Sequence, residues 1–86
     1  MRTVVIVDID HVISHAAPRD QLIGVVDWDT YHAAAKDDVL CTDIQRLVNT
    51  LHLDEELFIV GMTARPEKWR KATNEYLLRN QVLLDA

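Results

Sequence analysis

Eighty-six residues make one small domain, which buries only about 60–65% of its unfolded surface and folds with a thin stability margin. Apolar residues at 49% and charged residues at 27% exclude a disordered chain, and a net charge of −5 argues against broad, nonspecific wrapping of nucleic acid, though not against a local basic site. No apolar run exceeds four residues, one cysteine cannot form an internal disulfide, and two glycines leave no GxxxxGK[ST] loop and no GxGxxG turn, so a membrane-spanning helix and the common glycine-rich phosphate cradles are absent from the sequence.

Residues 3–9 are predicted as the first strand. Val4, Val5, Ile6 and Val7 form an unbroken β-branched run, which fits a strand buried on both faces, as in a parallel sheet. It ends in Asp8-Ile9-Asp10. Residues 11–26, with Pro18 and Gly24, read as a loop or flap of weak local structure. Asp27 is expected to cap a short helix reaching about Lys36, with Trp28, Tyr31 and Ala35 on one face. Thr42 and Gln45 have capping-box spacing and open a helix to about His52, where Ile44, Leu47, Val48 and Leu51 form a core-facing stripe. Residues 57–62 are the second buried strand, with Thr63 at its end. Pro66 suits the first turn of the next helix and Glu67 favours its dipole. That helix runs to about Arg79 and buries Trp69, Ala72, Thr73, Tyr76 and Leu77. Residues 82–84 are apolar again and point toward a third strand.

Strand, helical crossover, strand, helix implies adjacent parallel strands, with chemistry at their carboxyl ends. This brings Asp8, Asp10 and Thr63 to one edge. Folding does not require two neighbouring acids there, and like charges repel, so a hard cation such as Mg²⁺ is the natural partner. The plainer reading is a turn aspartate beside a partly exposed strand end. His11 and His15 lack a metal-ligand spacing, and His32 and His52 read as helix-surface residues. Trp28, Trp69 and Tyr76 are expected in the core more than as stacking platforms. Arg65, Lys68, Arg70 and Lys71 read as a solvated face, with steering of phosphate as the alternative. Cys41 reads as a small helix-entry residue.

The stretch from Val4 through Asp8-Ile9-Asp10-His11-Val12-Ile13 resembles the first motif of the haloacid dehalogenase-like (HAD) phosphohydrolases, an apolar strand followed by DxD. Residues 57–62 with Thr63 resemble the second motif, and Thr63-Ala64-Arg65-Pro66 is similar to its S/T-x-R-P variant. That variant belongs to the phosphatase domain of bacteriophage polynucleotide kinases and related stand-alone phage phosphatases. Asp27-Trp28-Asp29-Thr30-Tyr31-His32-Ala33-Ala34-Ala35 resembles their DWDxFxxA segment, and Asn74-Glu75-Tyr76-Leu77-Leu78-Arg79 their E-x-W-L-x-R helix end. Four segments in order span nearly the whole chain.

The resemblance implies an α/β, Rossmannoid three-layer fold with a parallel sheet. It implies a Mg²⁺-dependent phosphomonoesterase acting on a nucleotide or a nucleic-acid terminal phosphate. Asp8 is then the nucleophile, and Asp10 the general acid and base. Asp8 and Asp10 hold the metal, and Thr63 and Arg65 bind the substrate phosphate. His11 stands where these phosphatases usually have Gly, and Val12 where they usually have Thr. The family's later lysine and acidic pair have no counterpart in these 86 residues, so residues 1–86 are expected to be the front half of a domain of roughly 150 residues, with 11–41 as a flap or insert. Association through a homo-oligomer, a domain swap or a missing C-terminal half is expected, as is a cytoplasmic location, in the host if the chain is phage-encoded, with no membrane contact. The competing reading is a truncated or degenerate binding module without catalysis. A phosphoacceptor receiver domain shares the Thr-Ala strand end but needs an aspartate on an intervening strand, which this order lacks.

Overall fold

The computed structural model describes residues 2–86. Its strands are β1 (Thr3–Asp8), β2 (Ser14–His15), β3 (Val39–Leu40) and β4 (Leu57–Met62), and its helices α1 (Trp28–Ala33), α2 (Thr42–His52) and α3 (Arg70–Arg79). Single 3₁₀ segments cover Ala17–Leu22, Ala34–Asp37 and Glu67–Trp69. The fold is mixed α/β. β1 and β4 pair in parallel, from Thr3 opposite Leu57 to Asp8 opposite Met62, and everything between them forms the crossover.

Strand geometry sends successive side chains to opposite faces, so this register sorts the sheet into two surfaces. Val5 and Val7 face inward with Ile59 and Leu57. They pack with Ile9, Ile13, Val48, Tyr76, Leu77 and Val82 into one core. The opposite face is uncovered. Val4 and Ile6 are 58% and 59% exposed, and Met62 is half exposed. The expectation of a strand buried on both faces is therefore corrected for β1: its β-branched run is apolar on both sides, but helices cover only one.

Residues 11–26 carry more structure than expected. Ile13, Ser14 and Ala16 have no solvent exposure, and β2 pairs antiparallel with β3, Ser14 opposite Leu40. Elements of two residues are too short to show periodicity, which is why the sequence pattern missed them. Asp27 caps α1 as expected, its carboxylate accepting from the Thr30 N–H at 2.7 Å. The capping box does not form. Cys41 occupies the N-cap of α2 without a side-chain bond, and Gln45 donates across the fold to the Asn80 carbonyl at 2.7 Å. On α2, Val48 is buried and Ile44 and Leu51 pack beneath the sheet, but Leu47 is exposed: a two-stranded sheet is too narrow to cover the whole stripe. On α3, Thr73, Tyr76 and Leu77 are buried, whereas Ala72 faces solvent.

Residues 82–84 do not form a strand. Their backbone is tied to α2, with the Leu83 N–H donating to Asn49 Oδ1 at 2.9 Å. Only the next two residues reach the free edge of β4, where Gly61 N–H donates to the Ala86 carbonyl at 2.9 Å. Gly61 leaves room for Leu84 beside it: a Cβ there would lie 2.7 Å from Leu84 Cδ1, so the leucine side chain would have to shift.

The two sheet faces are expected to respond differently to truncation. Ile59→Ala removes a fully buried side chain and should cost about 2–5 kcal/mol. Ile6→Ala, on the same sheet but facing solvent, should cost less than about 1 kcal/mol. Urea unfolding of both variants reads the difference, and equal losses would contradict the one-sided core.

Candidate functional site

At the end of β1 the chain curls sharply. The Ile9 N–H extends the parallel ladder to the Met62 carbonyl at 2.9 Å, and the Ile9 carbonyl then accepts from the N–H groups of Ile13 and Ser14, each at 2.9 Å. His11 makes this possible at φ +67°, the left-handed region disfavoured for a residue with a Cβ. That is a physical reason for glycine at the matching position of the resembled family. Asp20 lies 3.4 Å from the His11 ring.

The curl delivers Asp10 to the mouth of the sheet, where three side chains converge on its carboxylate. Arg65 Nη2 donates to Oδ1 at 2.6 Å, and Arg65 Nε is 3.2 Å from the same oxygen. Thr63 Oγ1 donates to Oδ2 at 3.0 Å, and Arg19 Nη2 to Oδ1 at 2.8 Å. Thr63 and Arg65 reach Asp10 because β4 lies beside β1 and ends one residue before Thr63. The remaining guanidinium donors are also engaged. Arg65 Nη1 donates to Thr73 Oγ1 on α3 at 3.0 Å, and Arg19 Nε donates to Asp38 Oδ1 at 2.8 Å. The Arg19 and Asp38 side chains are 5% and 4% exposed. Asp38, Arg19, Asp10 and Arg65 thus alternate in sign and sum to zero charge.

Burial pushes the Asp10 carboxyl up, but the hydrogen bonds and charge of Arg65, with bonds from Thr63 and Arg19, outweigh it and hold the group below its usual value. Arg19 was not singled out by the sequence reading. The available signal was charge balance: Arg19 is the lone Lys or Arg between positions 3 and 35, among five aspartates.

Asp8 shares the strand edge but not the network. Its side chain is exposed, and among the described residues no hydrogen bond or ion pair joins it to Asp10, Thr63 or Arg65. Of the four predicted site residues, three form one bonded group and the fourth stands beside them. The rest of the basic run behaves as a solvated face. Arg70 pairs with Glu67 at 2.6 Å, both exposed, and Lys68 with Asp29 at 2.5 Å.

One wall of the site is aromatic. A cleft of about 450 Å³ is lined by Asp10, Arg19 and Arg65 together with Trp28, Tyr31 and His32. The Arg19 guanidinium lies over the Tyr31 ring, 4.8 Å from its centre. Burial, then the positive charges of Arg19 and Arg65, hold the His32 imidazole below its ordinary value, which favours the uncharged ring. Of the three aromatics expected in the core, Tyr76 is buried, Trp69 is partly covered and Trp28 is 62% exposed.

Mg²⁺ draws most of its oxygens from water and substrate phosphate, and one or two carboxylates suffice to hold it. The open Asp8 carboxylate is a donor of this type. The Asp10 carboxylate is already taken by two guanidinium groups, and among the described residues no three His, Cys, Asp or Glu side chains converge on a metal position. Among the described residues the donor set at this edge is therefore one open carboxylate, too few to cage a cation by protein alone. Compared with family models, curated proteins and solved structures, the chain matches none.

The network makes a stability prediction with a defined sign. A carboxyl held below its unfolded value of about 3.9 stabilises the fold above that pH, and the contribution is lost as pH falls through the lowered folded value. Urea midpoints should therefore drop below about pH 4, and Asp10→Asn should flatten that drop while lowering stability at neutral pH. Arg19→Met leaves Asp38 buried without its partner and should cost about 3–5 kcal/mol.

Proposed function

We propose that this chain carries a HAD-like phosphate site and works as a Mg²⁺-dependent phosphomonoesterase on a nucleotide or a nucleic-acid terminal phosphate. One observation supports the reading above all. Residues 53 and 55 positions apart in sequence, Asp10 with Thr63 and Arg65, join in one hydrogen-bonded group at the carboxyl edge of adjacent parallel strands, next to the open carboxylate of Asp8. Hydroxyl and guanidinium donors in that position are suited to phosphoryl oxygens.

A phosphate brought to this edge competes with the Asp10 carboxylate for Thr63 and Arg65. Once Arg65 turns to the phosphate, Asp10 loses the charge that holds its proton affinity down and becomes able to carry a proton. An Asp8 carboxylate oxygen attacks phosphorus, the bond to the leaving oxygen breaks, and Asp10 protonates that oxygen. Water then attacks the aspartyl-phosphate, its proton passes to Asp10, and Asp8 is restored with release of inorganic phosphate. Asp8 and the Asp10 backbone carbonyl would hold Mg²⁺, which when bound offsets repulsion between the carboxylate and the phosphate anion.

A second reading is a phosphate-binding module without turnover. It is favoured by the mutual neutralisation of Asp10 and Arg65, which leaves the acid–base group engaged, and by the lack, among the described residues, of a bonded partner orienting Asp8.

Turnover of a phosphomonoester separates the two. On the enzymatic reading EDTA abolishes release of inorganic phosphate, and Asp8→Asn does the same because an amide is not a nucleophile. Asp10→Asn lowers the rate by about 10²–10⁴-fold. Thr63→Ala costs less, about 1.5–3 kcal/mol for one bond to a charged group. Arg65→Lys hurts despite retained charge, because the fork is lost. Near-normal turnover by Asp8→Asn, or indifference to EDTA, eliminates the aspartyl-phosphate mechanism.

A further inference from the structure

Trp28 is out of place for a core residue. It is 62% exposed, yet its indole is held from below and not left loose. The Tyr31 ring meets it edge-on with centres 5.4 Å apart and planes at 90°. The His32 imidazole lies beneath it at 6.0 Å, tilted by 29°, and Trp69 follows His32 at 6.0 Å. Rings therefore run from the exposed Trp28 to the partly covered Trp69, and more than half of the Trp28 surface stays open to solvent. The helix carrying Trp28 is anchored at its first turn by the Asp27 cap, and Asp29 is tied to Lys68 on the segment that follows Arg65.

The position of this ring gives it a use. Trp28 lines the same cleft as Asp10, Arg19 and Arg65, so an aromatic wall and a phosphate-competent floor face one space. An anion alone has no need of an aromatic wall. A phosphate ester carrying a flat, π-faced group does, and a nucleobase is such a group.

We propose that Trp28 is the stacking platform for the base of a nucleoside phosphate, and so the residue by which the site prefers nucleotides over phosphate esters that lack a base. This rests on the phosphate site proposed above and adds the residue that recognises the base. The His32 ring supports the platform by its geometry, stacked against the indole with centres 6.0 Å apart and planes 29° from parallel. Trp28 acts on recognition and takes no part in proton or phosphoryl transfer. A free mononucleotide and the terminal nucleotide of a strand present the same chemistry.

Calorimetric titration tests this on the full chain carrying Asp8→Asn, which keeps ligands intact. The probes are a mononucleotide, a short oligonucleotide with a terminal phosphate, ribose 5-phosphate and inorganic phosphate. Trp28→Ala is expected to weaken the mononucleotide by about 5- to 100-fold. It should leave ribose 5-phosphate and inorganic phosphate within about twofold, and Trp28→Phe should recover most of the loss. Loss confined to the oligonucleotide supports the same platform with a strand end as its source. Equal weakening of base-bearing and base-free probes, or none of either, overturns the proposal. Turnover in the chain with Asp8 intact is read separately. Hydrolysis that Trp28→Ala slows equally for all esters overturns the platform and leaves the phosphatase. Base-dependent binding without hydrolysis overturns the phosphatase and leaves the platform. Binding of no probe by either form overturns both.

Discussion

Asp10 accepts from two guanidinium groups and a hydroxyl, and each donor arrives from a different part of the chain. Arg19 comes from the 3₁₀ segment inside the crossover, and Thr63 and Arg65 from the end of β4. Arg19 continues to Asp38 before β3, and Arg65 to Thr73 on α3. Tyr76 on α3 donates to the Asp38 carbonyl at 3.0 Å and ties the far end back. One part-buried, charge-neutral chain thus fastens the strand edge, the crossover and the last helix to each other. Removing Arg19 would leave Asp38 buried without its partner, whereas Asp10, paired with both Arg19 and Arg65, keeps one cation if the other turns away.

The same network holds Asp10 ionised through the charge and hydrogen bonds of Arg65. Under the function proposed above, an incoming anion with the same acceptor geometry would separate the two. On the proposed reading, binding and activation are one event, because the charge that Arg65 gives to phosphate is the charge it withdraws from Asp10. Asp8 needs no such release. It stands open at the strand end with no bonded side-chain partner among the described residues.

A two-stranded sheet leaves consequences on both of its faces. The covered face concentrates nearly all the fully buried side chains around Ile59, Val48 and Ile13. The other exposes Val4, Ile6 and Met62, and α2 shows Leu47 to solvent for the same reason: there is not enough sheet to cover the apolar surface the chain carries. The site lies at the carboxyl end, beyond this imbalance, fixed by backbone register and ion pairs more than by hydrophobic depth.

Much of this was legible from residue order. The two apolar runs, Val4 to Val7 and Leu57 to Val60, marked both strands of the parallel pair, the short polar side chain of Asp27 marked a helix start, and the acids after β1 and the threonine after β4 marked one edge. These follow from local rules: strand period, cap chemistry, and the position of strand ends in a parallel sheet. Tertiary structure decided the rest. Gln45 abandoned its capping box for the Asn80 carbonyl, because a partner 35 residues away was brought within 2.7 Å. Trp28 went to the surface and Arg19 to the interior, against the usual preference of each. A side chain's burial depends on what the fold brings beside it, and for Arg19 that was two carboxylates, 9 and 19 positions distant, whose charges offset its own. The sequence alone determined which groups stand at the strand ends; only the packed chain determined that Asp10 and Arg65 hold each other, because pairing across 55 residues is a property of distance in space and leaves no local trace.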